Sequence, residues 1–412
     1  MLSAHWRAAA RHRARFRIPV VGITGSCGKT TTKDMLAAIL QERGPVLKSP
    51  GNMNCPGPVR RTLLQMNRSH WAAVLEVASA RRGYVARSAA MARPVIGIVT
   101  NVTLAHAVLL GGLRDIAWEK GALLRSLPKG GLALVNADDP GSRLLDLKRV
   151  KARVIRYGLS PTADIWASDI AAERGGTSFA VHRAEESAPL WIPAPGEHNV
   201  YNALAAYGAA RALRMPIPFI QRGLSSFHRM GSRLQVKEMP NGITFVNDTY
   251  NANPLSMSAA LTVLRDLPGS RKVAVLGRMG SLGRYVIPAH VHLGRQVAAA
   301  GLDEVVLVGS QARNVLRGIR AAGGRLRVTL APDPDAAVDH VLRTVAPGSV
   351  VLFKASHSAK LGPAYRRAAA VLERPREESG AAVHPSLHLL SRSQAPATSS
   401  AAPAPRLQVK GE

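Results

Sequence analysis

Residues 20–36, VVGITGSCGKTTTKDML, constrain the fold more than any other stretch of the chain. An apolar run breaks into a glycine-rich turn and then continues with the periodicity of a helix, which predicts a strand, a turn and a helix in succession. Backbone N–H groups converge at such a turn, and the helix dipole favours an anion there. Lys29 is expected to reach the terminal phosphates of a nucleotide, and the Thr30 hydroxyl is expected to bind Mg²⁺. The stretch therefore predicts a phosphate-binding loop, although its glycines do not follow the common G-x-x-x-x-G-K-[ST] spacing.

Apolar strand-like runs alternate with helical patterns along most of the 412 residues, which predicts an α/β fold with parallel sheets. The predicted strands form two series, at 19–24, 72–77, 95–100 and 132–137, and at 243–248, 272–277, 304–309 and 349–355. Helices are predicted at 30–42, 113–127 and 198–213. The predicted units are a basic N-terminal extension in the form of a solvated helix (1–17), a central nucleotide-binding domain (18–230), a C-terminal α/β domain (231–373) and a disordered tail rich in Pro, Ser and Ala (374–412).

Composition argues against three classes of protein: nucleic-acid-binding, disulfide-rich and membrane-spanning. The net charge of +29 favours contact with polyanions, but the arginines are spread along the chain and aromatic residues are only 4%, so nucleic-acid binding is not expected as the main function. Cys27 and Cys55 are the only cysteines, which are too few for a disulfide framework and fit a reducing cytoplasm. No apolar run is long enough to span a bilayer, so no membrane span is expected.

Several motifs resemble, in order, those of the Mur ligase family, the amide-bond-forming enzymes of peptidoglycan synthesis and their relatives. GITGSCGKTTTK is similar to the family's ATP loop, VLEVASARRG to its acidic strand end, and TLAHAVLLGGLRDIAWEKGALL to the stretch with a metal histidine and a special lysine. LVNADDP, PAPGEHNVYNALAA and VNDTYNANPLSMSAAL follow in family order. The resemblance is closest to the D-alanyl-D-alanine-adding member. It implies a P-loop central domain with a parallel sheet and a C-terminal Rossmann-like α/β domain.

The resemblance also implies a reaction. Such a ligase phosphorylates a carboxylate with ATP, and an amine then attacks the acyl phosphate to form an amide, with release of ADP and phosphate. The protein must offset the repulsion between the negatively charged γ-phosphate and carboxylate. This requires metal ions, lysines and helix N-termini, and it does not require a nucleophilic side chain. The expected partners are therefore a small-molecule carboxylate and an amine, such as an amino acid or small peptide. Two alternatives stay open: a peptidoglycan-precursor ligase with a split or truncated N-terminus, and a P-loop subunit that binds ATP without ligating.

The family pattern assigns four metal-binding positions and thereby two Mg²⁺ sites: Thr30, Glu76, His106 and Lys120. With Lys29, the last three are also the expected catalytic residues, and Lys120 is expected to carry a CO₂-derived carbamate that makes it a metal ligand. Each has a plainer interpretation. Glu76 could pair with a nearby arginine, His106 could be structural, and Lys120 could be a solvated lysine beside Glu119.

Nucleotide contacts follow from the same resemblance. Asn199 and Asn202 lie three residues apart and so share one helix face, where their amides could bind the adenine or simply cap the helix. The expected nucleotide-binding residues are Gly25, Ser26, Cys27, Gly28, Lys29, Thr30, Thr31, Asn199, Asn202, Arg233 and Asp248. The expected contacts to the other substrates are Asn52, Asn54, Asn251, Asn253, Lys354 and His357.

The chain departs from the family pattern at three places. The phosphate loop begins within twenty residues of the start, so the family's N-terminal domain for the UDP-linked substrate is expected to be lacking, or supplied by a partner protein. AVLL follows His106 where the relatives usually place a glutamate and aromatic residues, and GRMGSLG (277–283) replaces an acidic motif. These departures predict a specialised ligase that acts on a different acid.

Overall fold

A computed structural model describes residues 4–78, 81–105, 107–173, 175–228 and 231–373. The helices are α1 (Ala4–Ala14), α2 (Lys29–Gln41), α3 (Pro56–Leu64), α4 (Tyr84–Ala92), α5 (Ala107–Leu110), α6 (Leu113–Arg125), α7 (Glu197–Ala212), α8 (Ile217–Ser226), α9 (Pro254–Asp266), α10 (Val286–Ala299), α11 (Ala312–Ala321), α12 (Pro334–Thr344) and α13 (Leu361–Glu373). The strands are β1 (Val20–Thr24), β2 (Val46–Lys48), β3 (Ala72–Glu76), β4 (Ile96–Val99), β5 (Leu132–Asn136), β6 (Arg153–Gly158), β7 (Ile165–Glu173), β8 (Gly176–Arg183), β9 (Glu186–Ile192), β10 (Gln235–Glu238), β11 (Thr244–Asp248), β12 (Arg271–Leu276), β13 (Glu304–Val308), β14 (Arg327–Ala331) and β15 (Ser349–Lys354).

The first sheet has the strand order β2-β3-β1-β4-β5-β6-β7-β8-β9. In this order, neighbouring strands pair in parallel from β2 as far as β7, and β7, β8 and β9 then form an antiparallel meander. The apolar strands β1, β3 and β4 are buried on both faces, as expected for parallel strands covered by helices on each side. The phosphate loop therefore follows a central strand, between the strands that end at Glu76 and Val99.

The second sheet has the order β10-β11-β15-β12-β13-β14 and is parallel except for β10, which pairs antiparallel with β11 at one edge. Both sheets lie in one compact unit that spans residues 1–374. The predicted α/β class with two largely parallel sheets is confirmed. Every predicted strand, and each helix predicted at 30–42, 113–127 and 198–213, corresponds to an observed element within two residues at each end. The sequence interpretation missed β2, β10, β14 and the whole region from β6 to β9.

Local sequence explains where several helices begin. Gly28 precedes α2 with φ +80°, a conformation that glycine adopts without the strain of a side chain. The Asn253 side chain accepts a hydrogen bond from the Ser256 amide at the start of α9, and Asp333 caps α12 in the same way through the Ala336 amide. These caps satisfy N–H groups that have no partner within the helix.

The N-terminal segment forms the expected helix, but it is not simply solvated. α1 packs against α3 and α4 through its alanine-rich face, which lets the backbones approach. Arg13 is only 7% exposed, and its guanidinium donates to the carbonyls of Ala92, Phe16 and Ile18. The arginine thus ties α1 to the end of α4 and to the segment before β1.

Two predicted features are left untested by the described residues. The predicted tail, 374–412, lies outside them, and so do residues 229–230 at the predicted domain boundary. The division into domains stays a prediction. Among the helices of the described residues, none is long and apolar enough to cross a membrane.

Candidate active site

A cleft of about 420 Å³ lies where the carboxyl ends of strands from the two sheets meet. Carboxyl ends of parallel strands are where α/β folds place ligands. The first sheet contributes the phosphate loop and Asn136, and the second contributes Asp248 and Lys354. Helix α7 adds Asn199 and Asn202. A ligand in this cleft would therefore touch both halves of the compact unit.

The phosphate loop requires glycine at two positions. Gly25 has φ +149°, and a Cβ atom there would lie 1.8 Å from Thr100 Oγ1. A Cβ atom at Gly28 would lie 2.2 Å from Asn202 Oδ1. Any side chain at either position would collide with groups that form the cleft, so the offset glycines of the sequence are explained by close packing and not only by turn geometry.

Asn101, which follows β4, holds the loop from one side. Its Oδ1 accepts hydrogen bonds from the Ser26 amide at 3.2 Å and the Cys27 amide at 2.9 Å. The Lys29 ammonium folds back onto the loop and donates to the Gly25 carbonyl at 2.9 Å and the Ser26 carbonyl at 3.3 Å. Burial lowers the pKa of Lys29. An arriving phosphate could take over these donors, because amide and ammonium groups bind phosphate oxygens well.

Glu76 and Thr30 meet beneath the loop, although 46 residues separate them. The Thr30 hydroxyl donates to Glu76 Oε2 at 2.8 Å, and the Asn54 amide donates to Glu76 Oε1 at 2.8 Å. Glu76 is buried, and its two carboxylate oxygens accept hydrogen bonds from Thr30 and Asn54. A carboxylate and a hydroxyl beside a phosphate site are hard oxygen donors of the kind that Mg²⁺ prefers, with phosphate and water as its remaining ligands. The residues present therefore fit Mg²⁺.

Lys120 is only 3% exposed, so the predicted alternative of a solvated lysine is wrong. Its neighbour Glu119 does not pair with it; the Glu119 carboxylate instead accepts from the amides of Gly83 and Val85 at the start of α4. Burial, reinforced by the charge of Lys29, lowers the pKa of Lys120 to about 7. Among the residues that the structure describes, no hydrogen-bond acceptor reaches its amine. A buried lysine whose pKa is lowered by burial and by a neighbouring charge is a candidate functional group.

His106, the other predicted metal ligand, lies outside the described residues. Across the described ranges, which leave out His106, no three His, Cys, Asp or Glu side chains are grouped as metal ligands would be. The segment that follows His106 can be placed: the Val108 amide donates to the Ser281 carbonyl at 3.3 Å. The two segments that are expected to depart from the family pattern, AVLL and GRMGSLG, are therefore in direct contact.

Asn199 and Asn202 are both buried in the first turns of α7. Asn202 Oδ1 accepts from the Thr32 hydroxyl at 3.2 Å, and its amide donates to Asn199 Oδ1 at 3.1 Å. The helix is not capped by either side chain, because Gly196 is its N-cap residue. The two asparagines instead connect α7 to α2, with both side chains at the cleft.

Residues of the second sheet complete the cleft. Arg233 donates to the Thr30 hydroxyl at 3.2 Å, and its guanidinium lies 4.0 Å from the centre of the Tyr250 ring. The buried Lys354 ammonium pairs with Asp248 and donates to the Asn251 carbonyl at 3.1 Å. The Asn253 amide donates to Cys27 Sγ at 2.9 Å. Polar contacts thus join the second sheet directly to the phosphate loop.

Of the predicted site residues that the structure describes, most come together and two do not. Gly25, Ser26, Cys27, Gly28, Lys29, Thr30 and Thr31 form the loop, and Asn54, Asn251 and Asn253 lie beside it or across the cleft. Asn52 and His357 are exposed, and neither lines the cleft. Sequence reasoning missed Thr100, Asn101 and Asn136. Their common signal is a polar residue directly after, or at the end of, an apolar strand.

Comparison with known proteins identifies two matching domains. Residues 23–210 match the Mur ligase middle domain, and residues 232–357 match the Mur ligase, glutamate ligase domain. The UDP-N-acetylmuramoyl-tripeptide–D-alanyl-D-alanine ligase of Synechocystis is 34% identical over 361 residues, which cover 88% of this chain and 77% of that enzyme.

Solved structures agree with this match. MurF from Acinetobacter baumannii superposes with a TM-score of 0.82 at 30% identity, covering 89% of this chain and 80% of that one. MurF ligase from Thermotoga maritima, solved in complex with ADP, gives a TM-score of 0.80 at 26% identity, covering 90% of this chain and 83% of that one. The cleft described above therefore belongs to a fold that is known to hold an adenine nucleotide in one of these relatives.

Proposed function

This chain belongs to the Mur ligase family of ATP-dependent, ADP-forming ligases, and from that premise we propose that it couples the amino group of D-alanyl-D-alanine to the carboxylate of a muramoyl peptide. The similarity to D-alanyl-D-alanine ligases supports this choice of substrates. The observation that carries the proposal is the composite cleft, in which the phosphate loop of the first sheet faces Asp248 and Lys354 of the second. An acyl phosphate formed in a cleft between two sheets can be shielded from water when they close on it.

The chain's residues would act mainly by neutralising and orienting charge. Lys29 and the loop amides would hold the phosphates, while Asn199 and Asn202 would hold the nucleotide from α7. Glu76 and Thr30 would hold Mg²⁺, which when bound offsets negative charge between the phosphate and the incoming carboxylate. The carboxylate would then accept the γ-phosphoryl group, and the amine would displace phosphate to form the amide. Arg233, in the segment just before β10, donates to the Thr30 hydroxyl. It would thereby connect the metal site to the closing of the cleft.

We further propose that Lys120 carries a carbamate. A pKa near 7 leaves a large share of the amine neutral at physiological pH, and only the neutral amine has the electron pair to attack CO₂. The new N–C bond gives a carbamate and releases one proton. The modification would turn the amine into an oxygen donor for a second metal ion, together with His106. The burial of Lys120 beside the charge of Lys29 supports this role.

One contact favours a second candidate function, in which the ligase acts on a different acid or amine. The Val108 amide bonds to the Ser281 carbonyl, so the two segments that depart from the family pattern meet at one place. Departures that touch each other can change the shape of a single subsite. A ligase for another amino acid or small peptide, with or without a partner protein that supplies a substrate domain, is the alternative that this contact supports.

A substrate screen tests the proposal. The full chain with ATP and Mg²⁺ would be given pooled amino acids, dipeptides including D-alanyl-D-alanine, and UDP-muramoyl peptides, with ADP release and product mass followed together. A product that equals its two parents less one water, formed from D-alanyl-D-alanine and a muramoyl peptide, is the expected result. The same condensation from a different pair would favour the second candidate. ADP release without condensation under every combination would contradict both.

A further inference from the structure

Lys33 is a buried lysine that the reaction described above does not use. It lies on α2, one turn beyond Lys29, and its side chain is 1% exposed. Its ammonium donates to the Ser49 carbonyl at 3.0 Å and to the Gly51 carbonyl, and it lies 3.3 Å from Asp34 Oδ1. An ammonium has three N–H donors, so these three acceptors satisfy it fully. A fully satisfied buried charge orders the segment that its partners belong to.

The segment ordered by Lys33 is the loop from Ser49 to Asn54, which follows β2. β2 is only three residues long and is the edge strand of its sheet, so no strand supports the loop on its outer side. Gly51 has φ +51°, which marks a tight turn. Backbone hydrogen bonds hold its two ends, from the Ser49 amide to the Val74 carbonyl and from the Ala78 amide to the Asn54 carbonyl. The Lys33 ammonium adds two hydrogen bonds to the carbonyls of Ser49 and Gly51 and so fixes the turn between these ends.

Both ends of this loop contact Glu76. The Glu76 amide donates to Ser49 Oγ at 3.0 Å, and the Asn54 side-chain amide donates to Glu76 Oε1 at 2.8 Å. The first contact fixes the position of the Glu76 backbone, and the second fixes the orientation of its carboxylate. The remaining oxygen, Oε2, faces the Thr30 hydroxyl. A displacement of the loop would move the carboxylate away from the oxygen donor with which it would share a metal ion.

We propose that Lys33 is a positioning residue for the metal site: by ordering residues 49–54 it holds the Glu76 carboxylate in the orientation that binds Mg²⁺ on the nucleotide. The inference rests on the proposed metal role of Glu76. Groups that orient a metal ligand typically change metal affinity by about tenfold to a hundredfold when they are removed. Lys33 itself touches neither nucleotide nor metal in this arrangement, so its effect is expected through Glu76.

Electrostatics and geometry make opposite predictions for the loss of Lys33. Removing a cation near Glu76 would by itself strengthen the binding of another cation, Mg²⁺. Losing the order of the loop would weaken it. The sign of the change in Mg²⁺ binding therefore distinguishes a positioning role from a general effect of charge.

The experiment measures how much Mg²⁺ improves the binding of a nucleotide. The β,γ-imido analogue of ATP is titrated calorimetrically into the full chain, once with saturating Mg²⁺ and once with EDTA. The proteins compared are wild type and Lys33→Met, which keeps an unbranched side chain but removes the ammonium. We expect Lys33→Met to lose about tenfold or more of the Mg²⁺-dependent gain in affinity. Binding in EDTA should change by no more than about twofold, because the phosphate loop is untouched.

Lys48→Met is the matched control. Lys48 lies 3.4 Å from the same Asp34 oxygen but makes no contact with the loop carbonyls, and it is largely exposed. It should keep the full gain from Mg²⁺. An equal or larger gain in Lys33→Met than in wild type would overturn the proposal, as would equal losses in the two lysine variants.

Two further variants keep the result interpretable. If Lys33→Met does not fold, Ser49→Ala removes the hydroxyl that accepts from the Glu76 amide, and an unchanged gain in that variant would overturn the proposal. Glu76→Gln tests the premise. If Glu76→Gln keeps the Mg²⁺-dependent gain, the metal site itself is misassigned. If Glu76→Gln loses the gain and Lys33→Met keeps it, only the role of Lys33 is wrong.

Discussion

Two regions of the candidate site, called here the inner wall and the rim, are built in different ways. The inner wall, which comprises the phosphate loop (25–31), Glu76 and Lys120, consists of buried or half-buried groups, and most of its polar atoms are hydrogen-bonded to residues distant in sequence. The rim, which comprises residues 107–110 and 278–285, exposes Val108 by 59% and Leu109 by 54%, and its two segments meet through a backbone hydrogen bond. Replacing a hydrogen-bonded side chain of the inner wall leaves a buried partner without its hydrogen bond, whereas replacing an exposed side chain of the rim does not. The resemblance to the family places its nucleotide and metal residues on the inner wall, and its expected departures on the rim.

The largest expected effect is on the inner wall. Lys29→Ala should lower kcat/KM for ADP release by about 10³-fold, because the ammonium that reaches the phosphates is lost. A coupled assay of ADP release measures it. Lys129→Ala, which changes an exposed lysine in the turn before β5, is the matched control and should retain full activity. Similar activity in the two variants would contradict a special role of the inner wall, since the loop lysine would then contribute no more to activity than a surface lysine.

Replacement of Lys120 should separate catalysis from stability. Lys120→Met is expected to lower ligation by about 10²-fold, because a metal ligand is lost, and to raise the melting temperature of the nucleotide-free protein, because a buried amine is replaced by an apolar group. Depletion of CO₂ should lower the wild-type rate, and added bicarbonate should restore it. Activity indifferent to both CO₂ and the substitution would remove Lys120 from the metal site.

The same residue predicts a pH dependence of stability. In CO₂-free buffer the folded-state pKa of about 7 lies below the ordinary lysine value of 10.5, so the unfolded chain binds more protons between these pH values. The Lys120 contribution to the free energy of unfolding should therefore rise as pH increases through this window. Urea unfolding of wild type and Lys120→Met along a pH series measures the difference. Parallel curves for the two proteins would show that the amine titrates normally.

A smaller effect is expected where the second sheet touches the phosphate loop. Asn253→Ala removes the cap of α9 and the contact with Cys27, so it should destabilise the protein by about 1 kcal/mol and raise the KM for ATP several-fold. Asp333→Ala removes the equivalent cap of α12, which has no contact with the cleft. It should cost similar stability and leave the KM unchanged. Equal KM values in both variants would show that the contact with Cys27 does not affect nucleotide binding.

The smallest effect on stability is expected on the rim. Val108→Ala should change the free energy of unfolding by no more than about 0.5 kcal/mol, because the side chain is exposed. It should nevertheless change the ratio of kcat/KM between two competing amine or acid substrates by up to about tenfold. Val371→Ala, at an exposed position of α13, is the control that should change neither quantity. An unchanged ratio of kcat/KM would show that the rim does not determine substrate specificity.

The accuracy of the sequence interpretation differed between regions for physical reasons. The buried strands β1, β3, β4, β5, β11, β12, β13 and β15 were predicted, because parallel strands covered on both faces are continuous apolar runs. The antiparallel strands β7 to β9 were missed, since one face of each is exposed and their polar residues resemble those of loops. Asn52 was expected at the substrate site because of a motif, yet its side chain lies on the outside of the loop that Lys33 orders.

The sequence by itself determined the local parts of this protein: a strand, a glycine turn and a helix with Lys29 and Thr30 at its start, and the order of motifs that shows the family. Only the tertiary structure decided which distant groups meet there. Glu76 reaches Thr30 because β3 lies beside β1, and Asn101 reaches the loop because β4 lies on the other side. Local periodicity carries no information about strand order, which depends on how apolar faces pack across the whole sheet. The burial of Lys120, and with it the lowered pKa, depends on the same packing and could not be inferred from its neighbours in the chain.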